Sequence, residues 1–140
     1  MKKKAVITVK SIADEDNENK VEVVSIGTFE KADDQYIVKY EETELSGMEG
    51  TTTTIIIKDN AFSLNREGST KTQMDFECNK ESAVLYNTPY GVINMKVFTK
   101  EISIDINDNG GELNTIYTFV LEDEQKVVTN LSIKIKTDNK

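Results

Sequence analysis

Residues 71–78 read KTQMDFEC. In an extended chain Thr72, Met74, Phe76 and Cys78 fall on one side, and Gln73, Asp75 and Glu77 on the other. An apolar face with period two marks a half-buried strand. Working outward, the same rhythm recurs at 5–13, 21–30, 36–45, 51–58 and 62–66 before this stretch, and at 83–88, 92–99, 102–106, 113–121 and 127–135 after it. Turn residues divide the segments: Asp14-Glu15-Asp16-Asn17, 31–34, Gly47 with Gly50, Asp59-Asn60, Glu67-Gly68-Ser69, Asn79-Lys80, Pro89 with Gly91, and Asp108-Asn109-Gly110-Gly111. No stretch carries the 3.6 period of an amphipathic helix. The pattern predicts an all-β domain of about ten or eleven short antiparallel strands.

The connections are short, so neighbours in sequence are expected to be neighbours in space, which makes the topology a meander. So many strands leave raw edges unless the sheet closes, and an up-and-down barrel closes it. A two-sheet Greek-key sandwich needs long crossing loops, and the sequence has none. The 140 residues fit one domain spanning 1–140, with Lys2 to Lys4 expected to fray.

Composition narrows the function. Net charge is −8, from 17 basic and 25 acidic residues, which disfavours general binding to nucleic acid or to an anionic membrane. There is no histidine, so imidazole metal sites, Ser-His-Asp triads and Cys-His dyads are excluded. One cysteine, Cys78, allows no internal disulfide and fits a reducing, cytoplasmic compartment. In phase with Met74 and Phe76, it reads as a small buried hydrophobe rather than a nucleophile. Ala5 to Val9, after the opening lysines, is too short for a secretory signal core, and no run is long enough to span a membrane as a helix.

Two motifs dissolve on inspection. Asp105, Asn107 and Asn109 followed by Gly110 resemble the start of a calcium loop, but the twelfth position, which needs a bidentate Glu, is Ile116. The stretch reads as a hairpin turn. The Thr51 to Thr54 run would suit the lining of a polar groove, but a β-branched strand is its simpler reading.

The strongest functional signal lies on the third and fifth strands. Tyr36, Val38, Tyr40, Glu42 and Glu44 share a face that Val38 and Tyr40 mark as inward. Arg66 is in phase with Phe62 and Leu64. A carboxylate taken out of water needs a partner, and the planar fork of Arg66 matches one. Tyr86, Thr99 and Tyr117 would add hydroxyls to the same interior. An apolar wall with a few aimed polar groups is how a barrel binds a small ligand. The structural alternatives are an ion pair that plugs the barrel, or a bulge that turns Glu42 and Glu44 out to solvent.

The pieces YIVKYEETELSGMEGTTTTIIIK, LNREGS, MDFEC, YNTPYG, MKVFTKEISIDI and GGELNTIYTFVL, in this order, resemble the YwiB-like family of uncharacterised bacterial β-barrel proteins, found chiefly in Firmicutes. The resemblance runs from about Val24 to Ile135. It implies a calycin-like barrel, similar in architecture to lipocalins and fatty-acid-binding proteins. It implies no activity and brings no catalytic or ligand-binding residues. The family pattern leads one to expect Gly in the turn after Cys78, where Asn79-Lys80 stands.

The sequence thus predicts a non-catalytic barrel with Tyr40, Glu42, Arg66, Tyr86, Thr99 and Tyr117 around a small ligand, without cofactor or metal. Two other functions stay open. One is a protein-interaction barrel with a filled interior, an acidic surface and an exposed Tyr90, monomeric or paired into a homodimer through an open edge beside the first strand. The other is a small enzyme using Glu42 or Glu44 as acid or base.

Overall fold

The structure is a computed structural model that describes residues 2–13, 20–42, 50–68, 71–88, 91–121 and 126–137; the side chains of 85–88, 93 and 121 lie outside that description. Ten strands follow in chain order: β1 (Lys2–Ala13), β2 (Lys20–Ala32), β3 (Gln35–Glu41), β4 (Thr51–Ile57), β5 (Ala61–Gly68), β6 (Thr72–Glu77), β7 (Glu81–Thr88), β8 (Gly91–Asn107), β9 (Gly110–Leu121) and β10 (Lys126–Thr137). They form one antiparallel sheet in the order β6-β5-β4-β3-β2-β1-β10-β9-β8-β7. This is the expected meander. It curls into a nearly closed barrel because β1 pairs β10 across nine residues, Ala5 with Thr137 through Ala13 with Thr129.

The closure corrects two expectations. Lys2, Lys3 and Lys4 do not fray: they pair with Glu30, Phe29 and Thr28 of the long strand β2. Nor does β1 offer an open edge, since β2 and β10 flank it on both sides. The break in the ladder lies between β6 and β7 instead.

Ten strands agree with the expected ten or eleven; the segments read at 92–99 and 102–106 are one strand, β8. A bulge at Lys100 joins them: Thr99 pairs Tyr117, and Glu101 pairs Ile116. The extra residue shifts the phase, so Val97 and Thr99 face inward before it and Ile102, Ile104 and Ile106 pack inward after it. The turn between β6 and β7 docks beside this bulge, with Asn79 N–H donating to the Thr99 carbonyl (2.7 Å) and Thr99 N–H to the Lys80 carbonyl (3.1 Å).

Cys78 departs from expectation. Strand β6 ends at Glu77, so Cys78 sits in the turn, exposed, with Sγ 3.4 Å from the Lys100 carbonyl. The next residue, Asn79, has φ +63°, the left-handed conformation that Gly or Asn adopts most readily. Asn79 therefore fills the position where Gly is expected.

The interior is layered by the register. One row across the sheet is Phe29, Val38, Ile55, Leu64 and Met74; the row beside it is Tyr36, Ile57, Phe62 and Phe76. Phe29 stacks on Tyr36 (centroids 5.3 Å apart) and Phe62 on Phe76 (4.4 Å). These rings fill the end of the barrel at which β2 turns into β3 and β8 into β9. Asp108 ties that end together: its carbonyl accepts from Lys3 Nζ (2.8 Å), and its carboxylate accepts from the Tyr36 hydroxyl (3.3 Å) and lies 3.5 Å from Lys31 Nζ. Polar residues gather toward the other end.

Candidate functional site

The next row toward that end is Gly27, Tyr40, Thr53, Arg66 and Thr72, aligned across β2 to β6. Tyr40, Thr53 and Thr72 are buried, facing inward like the apolar rows beneath them. Gly27 makes the row possible. A Cβ at Gly27 would collide with the Lys39 carbonyl oxygen and come within 2.8 Å of Tyr40 Cβ and 2.9 Å of Ile7 Cδ1, so Tyr40 takes the space that a side chain would fill.

Glu42 stands one step beyond Tyr40 on the same face. Its N–H continues the ladder by donating to the Thr51 carbonyl at 2.8 Å. Its carboxylate accepts hydrogen bonds from the Thr53 and Tyr40 hydroxyls. Arg66 Nε lies 3.8 Å from Glu42 Oε2, with the Glu42 side chain 3 % exposed and that of Arg66 17 %. This is an ion pair without a hydrogen bond at Nε, and that nitrogen is buried with no hydrogen-bond partner among the described residues.

Across the interior, Tyr117 of β9 meets Phe76 edgewise (5.1 Å) and Phe119 in a T (5.0 Å), and is hydrogen-bonded to Thr129. Burial pushes both inward phenols up. Tyr40 rises well above the ordinary range, through burial first and then the neighbouring Glu42 charge; Tyr117 rises to about 12 through burial, against the opposing pull of the Arg66 charge. Both keep their protons at neutral pH.

Between these groups is a cavity of about 300 Å3. Its polar lining is Tyr40, Glu42, Arg66, Tyr117 and Ser11; the rest of its wall is apolar, from Val9, Val23, Leu64, Met74, Phe76 and Leu131 among others. Four of the expected site residues, Tyr40, Glu42, Arg66 and Tyr117, thus meet at one cavity. Glu42 turns inward, so no bulge carries it out to solvent. Thr99 faces inward and is fully buried, but it does not line the cavity, and its hydroxyl has no partner among the described residues. Tyr86 pairs with Ile93 in the β7–β8 ladder, and its side chain lies outside the described residues, as do Glu44 and Tyr90 altogether.

Gly27 escapes a reading of the sequence, and Thr53 is reached there only as one member of a Thr run. Thr53 belongs to the site because β3 and β4 pair in the register that sets it beside Tyr40; no property of a Thr run announces that. Gly27 has an ordinary negative φ, so only the packing shows its purpose. A larger depression, about 760 Å3, lies on the outer wall between Lys10, Glu22, Glu112, Asn114 and Lys134. Within it, Asn114 Nδ2 and Ser132 Oγ both donate to Glu112 Oε1, at 3.1 and 3.5 Å.

Among the described residues, no helix is long and apolar enough to cross a membrane. Among known proteins, the chain is 26 % identical over 137 residues to the uncharacterized beta-barrel protein YwiB of Bacillus subtilis strain 168, covering 95 % of this chain and 94 % of that one. Its fold superposes on the crystal structure of the ywiB protein from Bacillus subtilis with a TM-score of 0.86 at 18 % identity, over 99 % of this chain and 94 % of the other. Residues 7–135 match the family described as a domain of unknown function, DUF1934, and the chain belongs to that family.

Proposed function

We propose that this barrel is a non-catalytic binding protein that holds one small, partly apolar molecule in its interior. In this reading it is calycin-like in use as well as in shape, and it works in the cytoplasm. The observation that carries it is the cavity of about 300 Å3, apolar over most of its wall, on which Tyr40, Glu42, Arg66 and Tyr117 converge. That volume stands at the lower end of the roughly 300–1,000 Å3 found for ligand pockets. A purely structural ion pair needs no such space beside it. Glu42 is held by Thr53 and Tyr40, and Tyr117 by Thr129, a fixed arrangement that suits selection of a ligand more than turnover. The single exposed thiol at Cys78 agrees with a reducing compartment.

Native mass spectrometry of protein purified gently from a bacterial cytoplasm tests this. A reproducible added mass, released on denaturation and absent from a cavity-filled Leu64→Trp variant, is the expected result. An apo mass throughout, with no shift on incubation with a cytoplasmic small-molecule extract, would count against the reading.

A second reading, self-association, rests on one surface feature. Val6 (42 % exposed), Val24 (58 %) and Ile26 (66 %) lie together on the outer wall of β1 and β2, where Val6 pairs Ile26. Sedimentation velocity decides it: a dimer that Ile26→Lys dissolves supports it, and a monomer at high concentration removes it.

A further inference from the structure

We infer that the interior selects an uncharged molecule whose end presents a hydrogen-bond-accepting carbonyl, and that it discriminates against the carboxylate of the same shape. The inference rests on the interior-binding reading above and deepens it.

Two observations on residues that line the cavity carry it. The first is charge. Glu42 and Arg66 both line the cavity, and they lie 3.8 Å apart at Oε2 and Nε, so the two charges already close on one another. An anionic ligand brought beside Arg66 would also stand beside the Glu42 carboxylate, which is almost wholly out of water. Like charges at that burial are mutually costly, and desolvating the incoming ion adds to the cost. An ammonium would meet the Arg66 guanidinium in the same way.

The second observation is hydrogen bonding. The Glu42 carboxylate is engaged by Thr53 and Tyr40. Arg66 Nε–H, by contrast, is buried and without an acceptor among the described residues. A buried donor without a partner is costly and asks for an acceptor atom. A carbonyl oxygen, reached by a small turn of the partly exposed Arg66 side chain, supplies one and brings no charge. An amide, a ketone or an ester satisfies both conditions at once. The apolar wall of Val9, Val23, Leu64, Met74 and Leu131 then takes the hydrocarbon remainder. Size completes the class: at about 30 Å3 per water-sized unit, the cavity holds about ten non-hydrogen atoms.

Isothermal titration calorimetry with three matched probes tests the inference: octanamide, octanoate and octylammonium, each against the whole chain at neutral pH. The expected result is octanamide bound at least about tenfold more tightly than either ion. Glu42→Gln removes the negative partner and leaves Arg66 uncompensated, so in that variant octanoate should overtake octanamide. Circular dichroism establishes that the variant is folded, and the wild-type ranking stands as a test even where it is not. Octanoate binding as tightly as octanamide to the wild-type chain would overturn the inference and leave the interior-binding reading intact. An amide preference unchanged in Glu42→Gln would overturn the role given to the ion pair. No binding of any probe, together with an apo mass in the native spectrum, would sink both.

Discussion

At the scale of single residues, the Glu42–Arg66 pair is the most consequential feature inside the barrel. Removing one partner from a buried pair leaves the other charge uncompensated, which typically costs about 3–5 kcal/mol; here Arg66 keeps some access to water, so the lower figure applies. Glu42→Leu and Arg66→Met should each destabilise the fold by about 3 kcal/mol, while the double variant should cost well under the sum. Urea unfolding of the four proteins measures the coupling, and strict additivity would mean that the two groups do not interact. The inward tyrosines give a second prediction. Their phenols titrate higher in the fold than the roughly 10 of the unfolded chain, so at alkaline pH the unfolded state releases protons that the fold retains. Stability is therefore fully present below about pH 10 and falls above it, by up to about 1.4 kcal/mol per pH unit for each tyrosine. Tyr117→Phe should flatten that fall between pH 10 and 12, as followed by urea midpoints and tyrosinate absorbance. Much of the site is legible in the sequence, because period two carries Glu42 inward from Val38 and Tyr40, and Arg66 inward from Leu64. The distances are not, because they depend on how β3, β4 and β5 align.

At the scale of elements, register decides what alternation cannot. Strands β3, β4, β5 and β6 bring Tyr40, Thr53, Arg66 and Thr72 into one row only because they pair as they do. A slip of one residue would send every one of them outward. Gly27 sits at the β2 end of that row. Gly27→Ala should destabilise the protein by about 1–3 kcal/mol, since the new methyl meets the Lys39 carbonyl and Tyr40. It should also weaken binding of any interior ligand, because Tyr40 must move. The neighbouring Thr28→Ala, on the outer face, is the control; equal losses in both would mean that the close approach of Tyr40 is unimportant. Irregularities are where reading by period fails. The Lys100 bulge changes phase inside β8, and the left-handed Asn79 ends β6 one residue early, which turns Cys78 from the core to the surface. Alternation continues through Cys78 in the sequence, so nothing in the pattern marks the stop.

At the scale of the molecule, the chain's two ends are its central joint. Short turns foretell that each strand pairs with the next; eight of the nine ladders follow that rule, and β6 and β7 alone, though consecutive, do not pair. The remaining ladder, β1 with β10, joins opposite ends of the sequence and unites β1–β6 with β7–β10 in one sheet that curls into a nearly closed barrel. No local pattern specifies it; it follows from the need of a curled sheet to cover its edges. The consequence is an uneven distribution of stability. Strands β1 and β10 are hydrogen-bonded on both sides, while β6 and β7 each pair on one side only. Local opening follows the weaker boundary. Hydrogen exchange should therefore find the slowest amides in β1 and β10, and faster exchange in Thr72–Glu77 and Glu81–Thr88. The seam is also the natural place for the interior to open, since Met74 and Phe76 of β6 line the cavity. A bound ligand touching them should slow exchange in β6 more than in β1, where little is left to gain. Uniform protection across all ten strands would remove the seam as a weak boundary, and ligand protection confined to β1 and β10 would place the path inward elsewhere.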